Sequence, residues 1–248
     1  SQPKPERMSQ ASEIYRQALS AAPSDRLLHE NFARLLEAKG DLKEALAHWQ
    51  RVIESVPHHP AAYYQAGSVL FFLGQIREAQ AYFDRALGLK PNFAEALNGT
   101  GLCLASQGNL REAKDFYDRA ILNRPEYMEA RLNLAGVLQK EGKGDEAIAQ
   151  YREVLRLEPG YWQAAYKIGI ELARRGKDSE AEGYFAQVVQ LRPDYASGHF
   201  NLGVVLAQQK RMEQAIFHFR EALRLEPANR QAQQYLEAAL KLLENPVR

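Results

Sequence analysis

The chain reads as an all-α protein, an array of antiparallel helix pairs, and three observations predict this. Pro23, Pro57, Pro91, Pro125, Pro159, Pro193 and Pro227 follow one another at intervals of 34 residues. Within each interval two runs of apolar residues recur at helical spacing. Two positions between and within those runs are small every time. A fixed period of this length is the signature of helical units that stack and bury one another's apolar faces.

With each of these prolines placed at position 32, six repeats span 26–59, 60–93, 94–127, 128–161, 162–195 and 196–229. Ahead of them, in 1–25, Met8, Ala11, Ile14, Tyr15, Ala18 and Leu19 are helically spaced and predict a helix over 8–22. It matches the second helix of a repeat and has no first helix beside it. Within every repeat, apolar residues at positions 4, 7, 8 and 11 share one face of a first helix. Gly40, Gly74, Gly108, Gly142 and Gly176 stand at position 15, where a left-handed residue ends a helix; Lys210 replaces glycine in the sixth repeat and predicts a strained or reshaped turn. Position 20 is alanine throughout, and position 8 is Ala33, Gly67, Gly101, Ala135, Gly169 and Gly203, so the two helices can approach closely. The aromatic at position 24 (Trp49, Phe83, Tyr117, Tyr151, Phe185, Phe219) fills the space beside that contact. The proline at position 32 stops the second helix. In 230–248, Ala232, Leu236, Ala239, Leu240 and Leu243 form one stripe against a polar remainder, which suits a terminal cap. Fourteen helices in one undivided array over 1–248 follow.

Composition narrows the function. Lys and Arg number 32 against 31 Asp and Glu, a net charge of +1, so there is no basic excess to hold phosphate backbones and no nucleic acid is expected. No apolar run is long enough to span a membrane. Cys103 is the single cysteine, cannot form an internal disulfide, and stands at an apolar core position. No catalytic motif, metal site or cofactor loop is present; Gly99-Thr100-Gly101 falls inside a first helix with no strand before it, and the Asn98-Gly99-Thr100 sequon is mid-helix. His58 and His59 read as a solvated turn. His29 with His48, and His199 with His218, occupy positions 4 and 23 of their repeats and read as packing.

The small residues at 8 and 20, the aromatic at 24 and the proline at 32 make the pattern resemble the tetratricopeptide repeat family over residues 26–229. The resemblance implies a right-handed superhelical α-solenoid whose first helices line a concave groove that receives peptides. Positions 5, 6, 9 and 13 of the first helices then supply the candidate site: Asn31, Arg34, Tyr64, Gln65, Phe72, Asn98, Asn133, Lys140, Tyr166, Lys167, Arg174, Phe200 and Asn201. The Lys and Asn of the family's carboxylate clamp for chaperone tails are missing at positions 5 and 9. Asn31, Asn133 and Asn201 at position 6 resemble the asparagine ladder of O-linked N-acetylglucosamine transferases. Repeats 2 and 3 offer Tyr64, Phe71, Phe72 and Leu102, whereas repeats 4 and 5 offer Lys140, Lys167 and Arg174, a patch suited to an acidic segment.

The expectation is therefore a non-catalytic scaffold, bacterial in style, that binds a partner protein or peptide in one continuous concavity. The alternative is the repeat region of a larger, glycosyltransferase-like enzyme that presents substrate to a catalytic domain elsewhere. The half-repeat start and the missing Met favour a fragment of a longer chain, in the cytoplasm. Ala11, Tyr15 and Ala18 on the uncovered N-terminal edge predict self-association.

Overall fold

The computed structural model describes residues 5–244. They form fourteen helices: α1 (Pro5–Ala21), α2 (Arg26–Lys39), α3 (Leu42–Ser55), α4 (Pro60–Phe72), α5 (Ile76–Leu89), α6 (Ala94–Ser106), α7 (Leu110–Asn123), α8 (Met128–Lys140), α9 (Gly144–Leu157), α10 (Trp162–Arg174), α11 (Asp178–Leu191), α12 (Ala196–Gln208), α13 (Met212–Leu225) and α14 (Arg230–Glu244). Each of the six repeats is one helix pair joined by a tight turn. The chain divides into two compact units, residues 1–133 and 134–248. Each is an α-solenoid in which successive helices pack on their chain neighbours. Among the described residues no helix is long and apolar enough to cross a membrane.

The turn inside each pair is set by one left-handed residue. Gly40, Gly74, Gly108, Gly142 and Gly176 take φ between 70° and 86°. The next residue then donates its N–H back to the carbonyl of the leucine at position 11, as Asp41 does to Leu36 and Lys177 to Leu172, at 2.9–3.0 Å. Lys210 keeps this geometry: it takes φ 64°, and Arg211 donates to Leu206 at 2.9 Å. The turn is therefore not reshaped; the strain expected there sits in the lysine backbone itself. At the other end, the residue before each repeat proline is extended, with Val56 at φ −137°, Lys90 at −140° and Arg124 at −143°. The proline ring crowds any helical neighbour before it, so the second helix stops there.

The contact between paired helices is a ring laid on a glycine. A Cβ added to Gly67, Gly101, Gly169 or Gly203 would lie 2.6–2.8 Å from the ring of Phe83, Tyr117, Phe185 or Phe219 respectively. Repeats 1 and 4 solve the same contact differently. They carry Ala33 and Ala135, and their aromatics have polar heads that find partners at position 12: Trp49 Nε1 donates to Glu37 Oε1 at 2.5 Å, and Tyr151 donates to Gln139 Oε1 at 3.0 Å. A buried indole or phenol gains from such a partner; Tyr117 has Ala105 at position 12 and lacks one there. Where position 24 is Phe83, Phe185 or Phe219, position 12 is the apolar Phe71, Ala173 or Ala207.

The two ends differ. On α14, Ala232 and Ala239 are buried, while positions 4 and 8 hold Gln233 and Glu237, exposed and hydrogen-bonded to each other at 3.2 Å. A polar residue at the position that elsewhere lies under a ring makes this face a cap. On α1, Ala11, Tyr15 and Ala18 are half-buried and Ile14 is 65% exposed. Tyr15 covers itself in part by stacking on Phe32, with ring centroids 5.4 Å apart.

Candidate functional site

Within each unit the first helices form the inner side. Helix α4 touches α6, α10 touches α12, and α12 touches α14, whereas no two second helices make comparable contact among the described residues. The register between neighbouring first helices recurs at three junctions: position 5 of one repeat meets position 6 of the next. Asn133 Nδ2 donates to Asn98 Oδ1 at 2.9 Å, Asn201 Nδ2 donates to the Tyr166 hydroxyl oxygen at 3.0 Å, and the Phe200 and Tyr235 rings meet edge-on at 5.4 Å. Positions 5 and 6 therefore work as a pair across 35 residues, which the columns read one at a time do not reveal.

In the unit 1–133, Asn31 and Arg34 are exposed, with the Arg34 guanidinium 6.0 Å from the Trp49 ring. Gln65 is half-buried. Tyr64 packs on Phe93 at 5.4 Å and on Phe83 at 5.9 Å. Burial pushes its phenol up; Glu95 and Glu129 push the same way, while the Ser68 hydroxyl and Arg124 oppose them. Phe72 is 75% exposed, standing edge-on to Phe71. Asn98 is almost fully buried.

Position 6 opposite Tyr64 is Gly99, the one glycine among the position-6 residues of the six repeats. Its Cβ would fall 2.7 Å from the Phe83 ring, so nothing larger fits without moving a core aromatic. Beside it opens a cavity of about 230 Å3 lined by Tyr64, Phe71, Phe72, Leu102, Glu95 and Asn98, among others. Glu95, Gly99 and Ser68 were outside the sequence-derived site. The signal for Gly99 was present as an odd residue in its column, but only the register says that its neighbour is Tyr64.

In the unit 134–248, Lys140 and Lys167 are exposed, and Tyr166, Phe200 and Asn201 are half-buried. Burial, then the neighbouring Tyr195, pushes the Tyr166 phenol up to about 12. Arg174 is also exposed, but its charge is matched. Glu171, 6% exposed, accepts from Arg174 at 2.7 Å and from Arg175 at 2.9 Å, and Arg175 also reaches Asp145. The hydrogen bond from Arg174 holds the Glu171 carboxyl below its usual range against the opposing effect of burial. Glu171 sits at position 10, where the other repeats have Leu35, Val69, Cys103, Val137 and Val205. It fits because Gly144 has no side chain there; a Cβ on Gly144 would lie 1.7 Å from Glu171 Oε1. The cationic character of this face therefore rests on Lys140 and Lys167.

The histidine pairs are bonded, not merely packed. Nδ1 of His29 lies 2.7 Å from Nδ1 of His48, and Nδ1 of His199 lies 3.1 Å from Nδ1 of His218. Nε2 of His29 and of His199 faces the carbonyl of Pro23 and of Pro193, at 3.0 and 3.2 Å. A carbonyl only accepts, so those Nε2 atoms carry the proton and the paired Nδ1 atoms of His48 and His218 donate. His59 caps α4 by accepting from the Ala62 N–H at 3.3 Å, a structural role for the residue read as solvated. Cys103 is fully buried, and burial, with Asp84 adding to it, raises its thiol to about 12. Among the described residues no three His, Cys, Asp or Glu side chains gather as a metal ion would require.

Family profiles described as tetratricopeptide repeat match residues 25–92, 64–131, 104–168 and 166–230. No curated protein matches the chain. Among solved structures, YrrB, described as a TPR protein with an unusual peptide-binding site, is 25% identical and superposes with a TM-score of 0.68 over 76% of this chain and 97% of its own. MamA is 24% identical, with a TM-score of 0.59 over 65% of this chain and 94% of its own. PilF of Pseudomonas aeruginosa is 19% identical, with a TM-score of 0.73 over 86% of this chain and 97% of its own. The last two show likeness of fold alone.

Proposed function

Because the chain belongs to the tetratricopeptide repeat family, we propose that it is a non-catalytic scaffold holding an extended segment of a partner protein on its first-helix faces. The observation that carries this is the run of aromatic and amide side chains paired at positions 5 and 6. An extended peptide leaves its backbone donors and acceptors without partners, and side-chain amides supply both kinds of group. Aromatic rings beside them give apolar area at little cost in side-chain entropy. The likeness to YrrB, a peptide binder by its description, supports the reading. On the unit 134–248 the exposed Lys140 and Lys167 suit an acidic stretch of that partner.

The test uses a partner captured from the source cell on the immobilised chain. Lys140→Glu with Lys167→Glu is expected to weaken its binding at least tenfold. Arg85→Glu with Arg119→Glu, on second helices, should change it less than threefold. A partner that binds both variants as it binds the wild type would refute the proposal.

A further inference from the structure

The cavity opposite Gly99 has two properties that packing does not explain. Its walls are apolar, built from Tyr64, Phe71, Phe72 and Leu102, yet Phe72 stands 75% exposed at its rim. A phenyl ring left in water beside an open apolar cavity forfeits burial that any smaller residue would not miss. The other position-13 residues, Ala38, Ser106, Lys140, Arg174 and Gln208, are small or polar.

The second property is polar. Asn98 is 6% exposed and lines the cavity. Its Oδ1 accepts from Asn133, but its Nδ2 donates to nothing among the described residues. This nitrogen is not shut off from solvent as the Thr100 hydroxyl is, so it stands open to donate to a group that enters this largely apolar pocket.

The surroundings select the occupant's charge. Glu95 lines the cavity, and Glu129 is close enough to act on Tyr64. Against these two acids stands Arg124, which is already committed: it donates to Glu95 at 2.7 Å and lies 3.6 Å from the Tyr127 ring. A carboxylate entering here would find the nearby cation already paired with Glu95 and no positive side chain among the residues that line the cavity.

We infer that this cavity anchors one large apolar side chain of an extended, non-acidic peptide segment, whose backbone carbonyl accepts from Asn98 Nδ2. The inference rests on the peptide-binding reading above and deepens it. The unit 1–133 selects by an apolar anchor, whereas the unit 134–248 offers lysines. Gly99 keeps this wall of the cavity as it is, since a Cβ there would strike the Phe83 ring that also lines it.

The test uses the full chain and fluorescein-labelled nonapeptide pools, capped at both ends, with random flanks and the centre fixed as Leu, Phe, Ala or Glu. The Leu and Phe pools are expected to bind at least tenfold tighter than the Ala and Glu pools by anisotropy. Phe72→Ala, at an exposed site that does not hold the fold, should weaken the Leu and Phe pools at least fivefold. Asn98→Leu should weaken them similarly, and the side-chain amide resonance of Asn98 should shift when the Leu pool is added to the wild type. Arg85→Glu with Arg119→Glu, on second helices, should leave all pools unchanged. Equal binding of the four pools, no binding by any, or wild-type affinity in Phe72→Ala would each overturn the inference. If Asn98→Leu fails to fold, Phe72→Ala and the amide shift decide. Pools indifferent to their centre but lost in Lys140→Glu with Lys167→Glu would overturn the anchor and leave the scaffold reading standing.

Discussion

Thr100→Val should stabilise the protein, although it removes a polar group from a helix and adds no contact. Thr100 lies mid-way along α6, 1% exposed, and its hydroxyl has no hydrogen-bond partner among the described residues. An unsatisfied buried hydroxyl costs about 1–3 kcal/mol relative to its hydration in the unfolded chain. Valine has nearly the same shape, is likewise β-branched, and has a similar helix propensity, so most of that cost is recovered. The expected gain is about 1 kcal/mol. With an unfolding entropy of about 2.1 cal/mol/K per residue, a chain of this length melting as one block would shift by roughly 2 °C. Stacked repeats often unfold in parts. If the unit 1–133 melts separately, the same gain shifts its transition by roughly 4 °C. Urea unfolding followed by circular dichroism and by tryptophan fluorescence gives the midpoint, and comparing the two probes separates these cases. Thr100→Ser serves as the control: it keeps the hydroxyl and loses a buried methyl, which should cost about 1 kcal/mol. If Thr100→Val is less stable than the wild type by more than about 0.5 kcal/mol, the hydroxyl has a partner in solution and the reasoning fails.

Three further outcomes are expected. Burial, then the neighbouring His199, lowers His218 to about 4, and burial also lowers His48. Both are held neutral in the fold, so the unfolded chain takes up protons first, and stability should fall as pH drops from about 6.5 toward 4; a urea midpoint that falls as steeply in His218→Gln would assign the loss to other groups. Lys210→Gly should raise stability by about 0.5 kcal/mol, because glycine takes the left-handed φ of 64° without strain and gives back part of the gain as unfolded-state entropy; an unchanged or lower midpoint in urea would refute this. The half-covered edge of α1 should associate, so light scattering is expected to give a larger mass for the wild type than for Ile14→Glu with Tyr15→Glu, and equal monomer masses would end the idea.

Much of the fold was legible because its causes are local. A glycine that adopts positive φ, a proline that forbids a preceding helical residue, and apolar residues spaced for one helical face each act within a few residues of themselves. Repetition then multiplied the signal, so that even Lys210 could be recognised as the odd member of a left-handed column. Cys103 was readable as core from the apolar residues that share its position. The candidate face was less legible. Arg174 reads as positive charge in sequence, whereas the structure matches it to the buried Glu171. Glu171 is conspicuous among the valines of its column, yet only with Gly144 beside it does a buried carboxylate make sense.

The sequence by itself therefore determined the period, the helix ends and the polar cap of α14, since each follows from the chemistry of residues that are neighbours along the chain or along one helix face. Only the tertiary structure decided which side chains meet across 35 residues: Asn98 with Asn133, Tyr166 with Asn201, and Phe200 with Tyr235. That register depends on how far one helix pair turns and slides against the next. It is set by the sum of many packing contacts, and no single residue encodes it.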